Sequence, residues 1–440
     1  MDGSLFMPAA YTSELSAELA ADVLERFQRY VRIDTQARRD RTSSPSTPGQ
    51  LELARILVAE LHEAGLTDAE LDENGYVMAT LPAVDSALAE PVIGLVAHMD
   101  TSPDASGHGV EPLVHRDYGG AAIELPRGGT RIDPETTPEL AAKRGHDIVT
   151  ASGDTLLGAD DKAGVAEIMA AVSYLAAHPE LPRPTLRVCF TPDEEIGEGA
   201  TLFDIERFGA ICAYTLDGSE VGELQDETFS ALEATVTIEG VDAHPGMATG
   251  KLVNALRLAA RVVAALPHDT LTPETTAGRE GFIHPFDFHG AAARAQFRVI
   301  LRDFDDELLD THVTRLRRTA EEIVETEPGA RLDIEIHEQY RNMRKYLDEV
   351  PYVTAAAEEA IRAEGVELQR GSIRGGTDGS RLSERGLPTP NIFTGGHDYH
   401  SPREWASVQD MAAAAATIVR LAEVWTRPEF RDQATAAARA

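Results

Sequence analysis

DKAGVAEIMAAVSYLAAHPELPRPTLRVCFTPDEE, residues 161–195, carries the pattern on which the fold turns. Residues 161–177 space their apolar side chains for a helix. HPELPRP is a proline-rich turn, and TLRVCF, 185–190, is a short apolar run of the kind a buried strand requires. The strand then meets three consecutive acids, Asp193, Glu194 and Glu195, set between Pro192 and the glycines at 197 and 199. Like charges crowded at a strand end repel one another, so this stretch calls for a compensating partner.

Outward from it, the same alternation continues. Residues 14–31 and 49–65 have helical spacing, the second ending in the glycine expected past a helix end. VMATL and VIGLVAH precede the quoted stretch as strands, and ICAYTL follows it. Strands alternating with helices predict an α/β domain with a mixed, largely parallel sheet. After about Thr228 the order changes. ALEATVTIEG is a strand, KLVNALRLAARVVAAL a helix, GFIHPFDFHG and RAQFRVILRDF two strands, DELLDTHVTRLRRTAEEIVET a helix and ARLDIEIHEQY a strand. That βαββαβ order matches the ferredoxin-like unit. From about Tyr346 the α/β pattern resumes with YVTAAAEEAIRAEG, a short strand near NIFTGG and a closing helix, MAAAAATIVRLAEVW. The expected layout is a discontinuous α/β domain, 1–228 and 341–440, interrupted by an α+β insertion at 229–340, with a mobile tail after Pro428.

Composition narrows the partners. With 74 acidic against 40 basic residues, the formal charge of −34 opposes any broad phosphate-binding surface, so nucleic acid and anionic membranes are excluded as partners. Cys189 and Cys212 each sit in an apolar run, which speaks against a disulfide framework. The N-terminal stretch lacks a basic head followed by an apolar block, and no run of about 18 apolar residues occurs. A soluble, cytoplasmic protein is expected.

In a parallel open sheet, ligands bind at the carboxyl ends of the strands. VIGLVA runs into His98 and Asp100, LRVCF into the three acids, ICAYTL into Asp217, and NIFTGG into His397 and His400; Asp160 and Asp161 stand at the start of a helix. Each alone has a bland explanation: a loop hydrogen bond, an N-cap or a turn. Five such segments converging on one sheet edge point instead to a metal site. Histidine mixed with carboxylate, without thiolate, suits zinc or a similar first-row divalent ion in a catalytic setting. Two ions fit better than one, because a carboxylate can bridge ions about 3.5–4 Å apart. A base is also required. In a turning segment neighbouring side chains diverge, so one acid of DEE can bind metal while the next shuttles a proton.

The motifs AHMDTSPD, LLGADDKAG, TPDEEIGEG, LDG, DAHPG, IRGGTDGS and GGHDYHS together strongly resemble peptidase T, the tripeptide aminopeptidase branch of the di-zinc aminopeptidase, carboxypeptidase and deacylase superfamily, over about residues 20–425. The resemblance implies two Zn2+ per subunit, with Co2+ or Mn2+ as alternatives. His98 would bind the first zinc, Asp100 would fix the tautomer of that histidine, Asp160 would bridge both ions, Asp217 would complete the first site, and Glu195 and His400 would hold the second. Glu194 would be the general base. His397 is the rival to His400, and neither Asp193 nor Asp161 has an assigned task. The insertion would be a lid and dimerisation domain whose His244 helps bind the oxyanion across a homodimer interface, and Arg302 and Arg374 would hold the substrate carboxylate. The expected partners are short peptides. A dipeptidase or an N-acyl-amino-acid deacylase of the same superfamily is the main alternative, and a non-catalytic metal-binding relative the remote one.

Overall fold

The computed structural model describes residues 11–437. The chain divides into two compact units, one formed by Met1–Asp226, Lys345–Gly371 and Thr377–Ala440, the other by Glu227–Arg344 with Ser372–Gly376.

In the first unit, α1 (Glu14–Tyr30) starts at Ser13, whose hydroxyl accepts the backbone N–H of Ser16, and buries Leu19, Val23, Phe27 and Tyr30 at helical spacing. α2 (Pro48–Glu63) has proline in its first turn and buries Leu53, Leu57 and Leu61. The strands β1 (Glu70–Leu71), β2 (Val77–Leu81) and β3 (Ile93–His98) follow, then α3 (Ala159–Ala177), β4 (Leu186–Thr191), β5 (Cys212–Leu216) and β6 (Glu223–Thr228). β3 is buried along its whole length, as a strand covered on both faces must be.

The second unit contains β7 (Ser230–Glu239), α4 (Ala255–Ala265), β8 (Phe282–Gly290), β9 (Arg294–Asp303), α5 (Asp306–Val324) and β10 (Arg331–Tyr340). Its sheet has the order β8-β9-β7-β10 with every pairing antiparallel. Ala295, Phe297, Val299 and Leu301 alternate inward along β9. They meet the apolar stripes of α4 and α5, Leu258 and Val262 with Leu309 and Leu316. Pro285 interrupts the register of β8, which is an edge strand, where a missing N–H is tolerated. Ser372–Gly376 joins this unit rather than the α/β unit expected from its position. The reason is local: the Phe229 N–H donates to the Ile373 carbonyl, and the Arg374 guanidinium lies 5.1 Å from the Phe229 ring centroid.

Back in the first unit come α6 (Pro351–Ala363), β11 (Gln369–Ile373, whose last two residues belong to the second unit), β12 (Asn391–Ile392), α7 (Val408–Val424) and α8 (Pro428–Ala437). The eight-stranded sheet runs β1-β2-β4-β3-β5-β12-β6-β11. Its centre is parallel (β4 with β3, β3 with β5, β5 with β12), whereas β1, β2 and β6 pair antiparallel. α1, α3, α6 and α7 bury one face; the alanine run of α7 has no bulk to hold its neighbours away. Tyr76, Phe203 and Phe208 cover the other face. Where α8 stands, a mobile tail was expected; instead Ala434 is buried and Phe430 packs on the core beside Trp425, so apolar contact orders this segment. A second, antiparallel sheet of four short strands (Gly396–His397, Trp405–Ser407, Ile148–Thr150, Leu113–His115) was not anticipated, two or three residues being too few to show a period.

Candidate metal centre

Because β3, β4, β5 and β12 are parallel, their carboxyl ends share one edge, and the first unit's ligand-type residues gather there. His98 closes β3. Its Nε2 lies 2.8 Å from Asp160 Oδ1, 3.6 Å from Asp217 Oδ1 and 4.0 Å from Glu194 Oε2. His400, in the loop after β12, has Nε2 3.1 Å from Asp160 Oδ2 and 3.0 Å from Glu195 Oε2. Two overlapping groups result, His98–Asp160–Asp217 and Asp160–Glu195–His400, each with its ligand atoms within 4.8 Å of one another. Asp160 belongs to both and turns one oxygen toward each histidine.

The chemistry of this donor set fits cations. Burial raises the Glu194 carboxyl well above its usual range, with the charges of Asp217, Asp378 and Glu195 adding to it. Burial, then the charge of Asp160, pushes Glu195 up to about 8. Burial alone would lower the histidines, yet hydrogen bonds to Asp160 and Glu195 raise His400 to about 11, and those to Asp100, Asp160 and Asp217 raise His98 well above its ordinary value. Protonated imidazoles therefore offset the crowded carboxylates where cations would otherwise do so. Glu195 Oε1 is buried without a hydrogen-bond partner among the described residues, an acceptor that a cation would satisfy.

Each element of the site is held from below. The carboxylate of Asp100 accepts the backbone N–H groups of Glu194 at 2.9 Å and Glu195 at 3.1 Å, while His98 Nδ1 is 3.2 Å from the Asp100 carbonyl and 3.4 Å from its Oδ1. Asp100 thus orients the histidine and also fixes the backbone that carries the two glutamates. Asp161 accepts the N–H of His98 at 3.0 Å and that of Gly164 at 3.2 Å, tying β3 to α3. Gly164 is needed here, since a Cβ at that position would lie 2.0 Å from the Leu216 carbonyl oxygen. Asp160 and Asp161 have non-helical dihedrals, so regular α3 begins after them and Asp160 is no N-cap.

Asp193, without an assigned task in the sequence, accepts from Ser46 and Gln50. It diverges from its two acidic neighbours because it occupies a left-handed conformation, φ 59°. His397 joins neither group. It stacks on Trp405 at 4.1 Å, and burial lowers it to about 3. The remaining expected residues belong to the second unit. His244 is exposed, and its Nδ1 accepts the N–H of Gly246. Arg302 donates to the carbonyls of Leu232 and Leu301 and to Gln339, and Arg374 to those of Gly278 and Glu280 and to the Thr276 hydroxyl. Two buried acids of the first unit went unnoticed in the sequence. Asp378 accepts the Thr191 hydroxyl at 2.6 Å, and burial lifts it to about 6; Glu404 accepts the backbone N–H of Asp160. Neither stands at a strand end, where His98, Glu194, Glu195 and Asp217 are found.

A parallel sheet edge bearing two linked histidine and carboxylate groups, with a half-buried glutamate alongside, defines a metal-dependent hydrolase. A model of peptidase family M20/M25/M40 matches residues 157–424, and the chain belongs to that family. It is a peptide-bond hydrolase. It is 45% identical to peptidase T of Geobacillus kaustophilus (strain HTA426) over 406 residues, 92% of this chain and 98% of that one. It is 44% identical to peptidase T of Bacillus subtilis (strain 168) over 403 residues, 91% of this chain and 98% of that one. The crystal structure of aminopeptidase PepT from Bacillus cereus ATCC 10987 has a similar fold, with TM-score 0.72 at 23% identity, covering 93% of this chain and 99% of that one. Among the described residues no helix is long and apolar enough to cross a membrane.

Proposed function

We propose that the chain is a tripeptide aminopeptidase holding two zinc ions, one by His98, Asp160 and Asp217, the other by Asp160, Glu195 and His400. The observation that carries this is the shared carboxylate, whose Oδ1 and Oδ2 lie 2.8 Å and 3.1 Å from the two histidines. Cobalt or manganese suits the same donors. When bound, the ions polarise the scissile carbonyl and make a water at the site more acidic.

The remaining work falls to side chains. Glu194 has its Oε2 4.0 Å from His98 Nε2, beside the first group and outside both, so its carboxylate is free to accept the proton of the attacking water and pass it to the leaving amine. Asp100 keeps Glu194 and His98 in register through the bonds described above. The second unit is assigned the lid and dimerisation role, with His244 as donor to the developing oxyanion in a homodimer. Arg302 and Arg374 are weaker candidates for the substrate carboxylate, because carbonyl oxygens already engage their donors. The free, buried thiols of Cys189 and Cys212 suit a reducing cytoplasm.

Identity of 45% with peptidase T along nearly the whole of both chains favours tripeptides over the dipeptidase and N-acyl-amino-acid deacylase readings. The test is a series of di-, tri- and tetrapeptides and N-acylated amino acids assayed with zinc. Release of the N-terminal residue from tripeptides is expected; preference for N-acylated amino acids would overturn the assignment.

A further inference from the structure

Asp160 has a second hold on it, remote in sequence. The amides of Leu157, Gly158 and Asp160 lie ahead of regular α3, and Gly158, where this segment starts, has no side chain to accept them. The carboxylate of Glu404 takes that place. Its Oε2 accepts the N–H of Leu157 at 2.7 Å and of Gly158 at 2.8 Å, and its Oε1 accepts that of Asp160 at 3.1 Å. Glu404 is 1% exposed, and its two oxygens are engaged by these three amides.

His400 directly precedes the tight turn that carries Glu404, in which the Glu404 N–H donates to the Ser401 carbonyl. One five-residue segment, 400–404, therefore grips Asp160 at both ends, its backbone N–H through Glu404 and its Oδ2 through His400. With ψ 103°, Asp160 departs from the helix that follows it, and the three bonds from Glu404 keep this departure in place.

We propose that Glu404 is a positioning residue for the reaction: by holding the Leu157–Asp160 backbone it aims the two oxygens of Asp160 at the two ligand groups. The proposal rests on the two-ion reading above, and the test separates them. Metal-free wild type, Glu404→Gln, Glu404→Asp and a control, Glu364→Gln, are titrated with cobalt and followed by visible absorption, with amide hydrogen exchange at Leu157, Gly158 and Asp160 measured in parallel. Glu364 is another buried carboxyl, bonded to Thr12 and Ser13 on α1's leading edge. Gln keeps the volume of Glu404 but sets an NH2 group against one of the amides.

Cobalt affinity should fall about 10–100-fold in Glu404→Gln, as when partners of metal ligands are removed. Exchange at the three amides should quicken, and kcat at saturating metal should drop at least about tenfold with KM within about twofold. Glu364→Gln should lower Tm alone. Glu404→Asp keeps the charge but withdraws it by one methylene; should the Gln variant not fold, a loss of cobalt affinity of about tenfold or more in the Asp variant carries the same conclusion. Cobalt affinity within about twofold of wild type in the folded Glu404 variants overturns the proposal. If wild type binds a single cobalt, the two-ion reading falls and Glu404 is judged by that ion's affinity; if it binds none, both fall.

Discussion

Asp193 and Ser46 are joined twice: Asp193 Oδ1 accepts the Ser46 hydroxyl at 2.5 Å, and Oδ2 accepts the Ser46 N–H at 2.7 Å. With Gln50 Nε2 at 2.8 Å, these bonds pin the loop that presents Glu194 and Glu195 to the segment leading into α2. Asp193→Ala removes charge-assisted bonds and leaves alanine in a left-handed backbone, so a destabilisation of about 2–4 kcal/mol is expected in chemical denaturation. Asn, which tolerates that backbone, should lose less.

Glu194→Gln keeps the shape of the base without its proton chemistry. We expect kcat to fall about 10²–10⁴-fold with metal content unchanged. Turnover near the wild-type rate would remove Glu194 from its assigned role.

The two histidines of GGHDYHS should separate cleanly. His400→Ala breaks the Asp160–Glu195–His400 group and should lower the metal content of the purified protein. His397→Asn loses the stack on Trp405 and the contacts with Ser219 and Glu220, none of them in either ligand group, and should leave metal content alone, whatever it does to stability. Elemental analysis of both variants reads this directly.

Protons and cations compete for this site. In the metal-free fold, burial lifts Glu195 from its ordinary 4.5 to about 8, and acidic neighbours lift His400 from 6.5 to about 11. Both folded values exceed the unfolded ones, so each contribution to stability is full below the unfolded value and lost as pH rises toward the folded value. The depressed Asp160 has the opposite sign, but only below its ordinary 3.8. Metal-free Tm should therefore fall from about pH 6.5 to 8. Metal binding should release protons in calorimetry across buffers and flatten the fall.

Glu167 is buried in α3, and neither of its oxygens has a hydrogen-bond partner among the described residues. Removing an unsatisfied carboxyl in favour of an apolar group of similar size should stabilise the protein. Glu167→Met is expected to gain about 1–3 kcal/mol at pH 8, read by thermal or chemical unfolding.

Much was legible along the chain because it depends on near neighbours. The inward alternation of Ala295, Phe297, Val299 and Leu301 and the helical stripe of α1 follow from side-chain period alone, and the strand ends running into His98, Asp193 and Asp217 could be read directly. Strand pairing was less so. Nothing in VMATL says that β2 runs antiparallel to β4, since pairing direction is set by chain connections and not by composition. The helix α8 hid for a similar reason: its few apolar residues matter only against Trp425 and the core beneath it.

At the candidate site, the residue types and their common sheet edge were determined by the sequence, whose apolar strands end in histidine and carboxylate. Only the tertiary structure decided how three adjacent acids divide, Asp193 toward Ser46 and Gln50, Glu195 toward His400, and Glu194 beside His98. It alone set His400 rather than His397 against Asp160, and brought Glu404 under that same aspartate from 244 residues away. The physical reason is that backbone conformation and long-range hydrogen bonds aim a side chain, and neither is written in the identity of its neighbours.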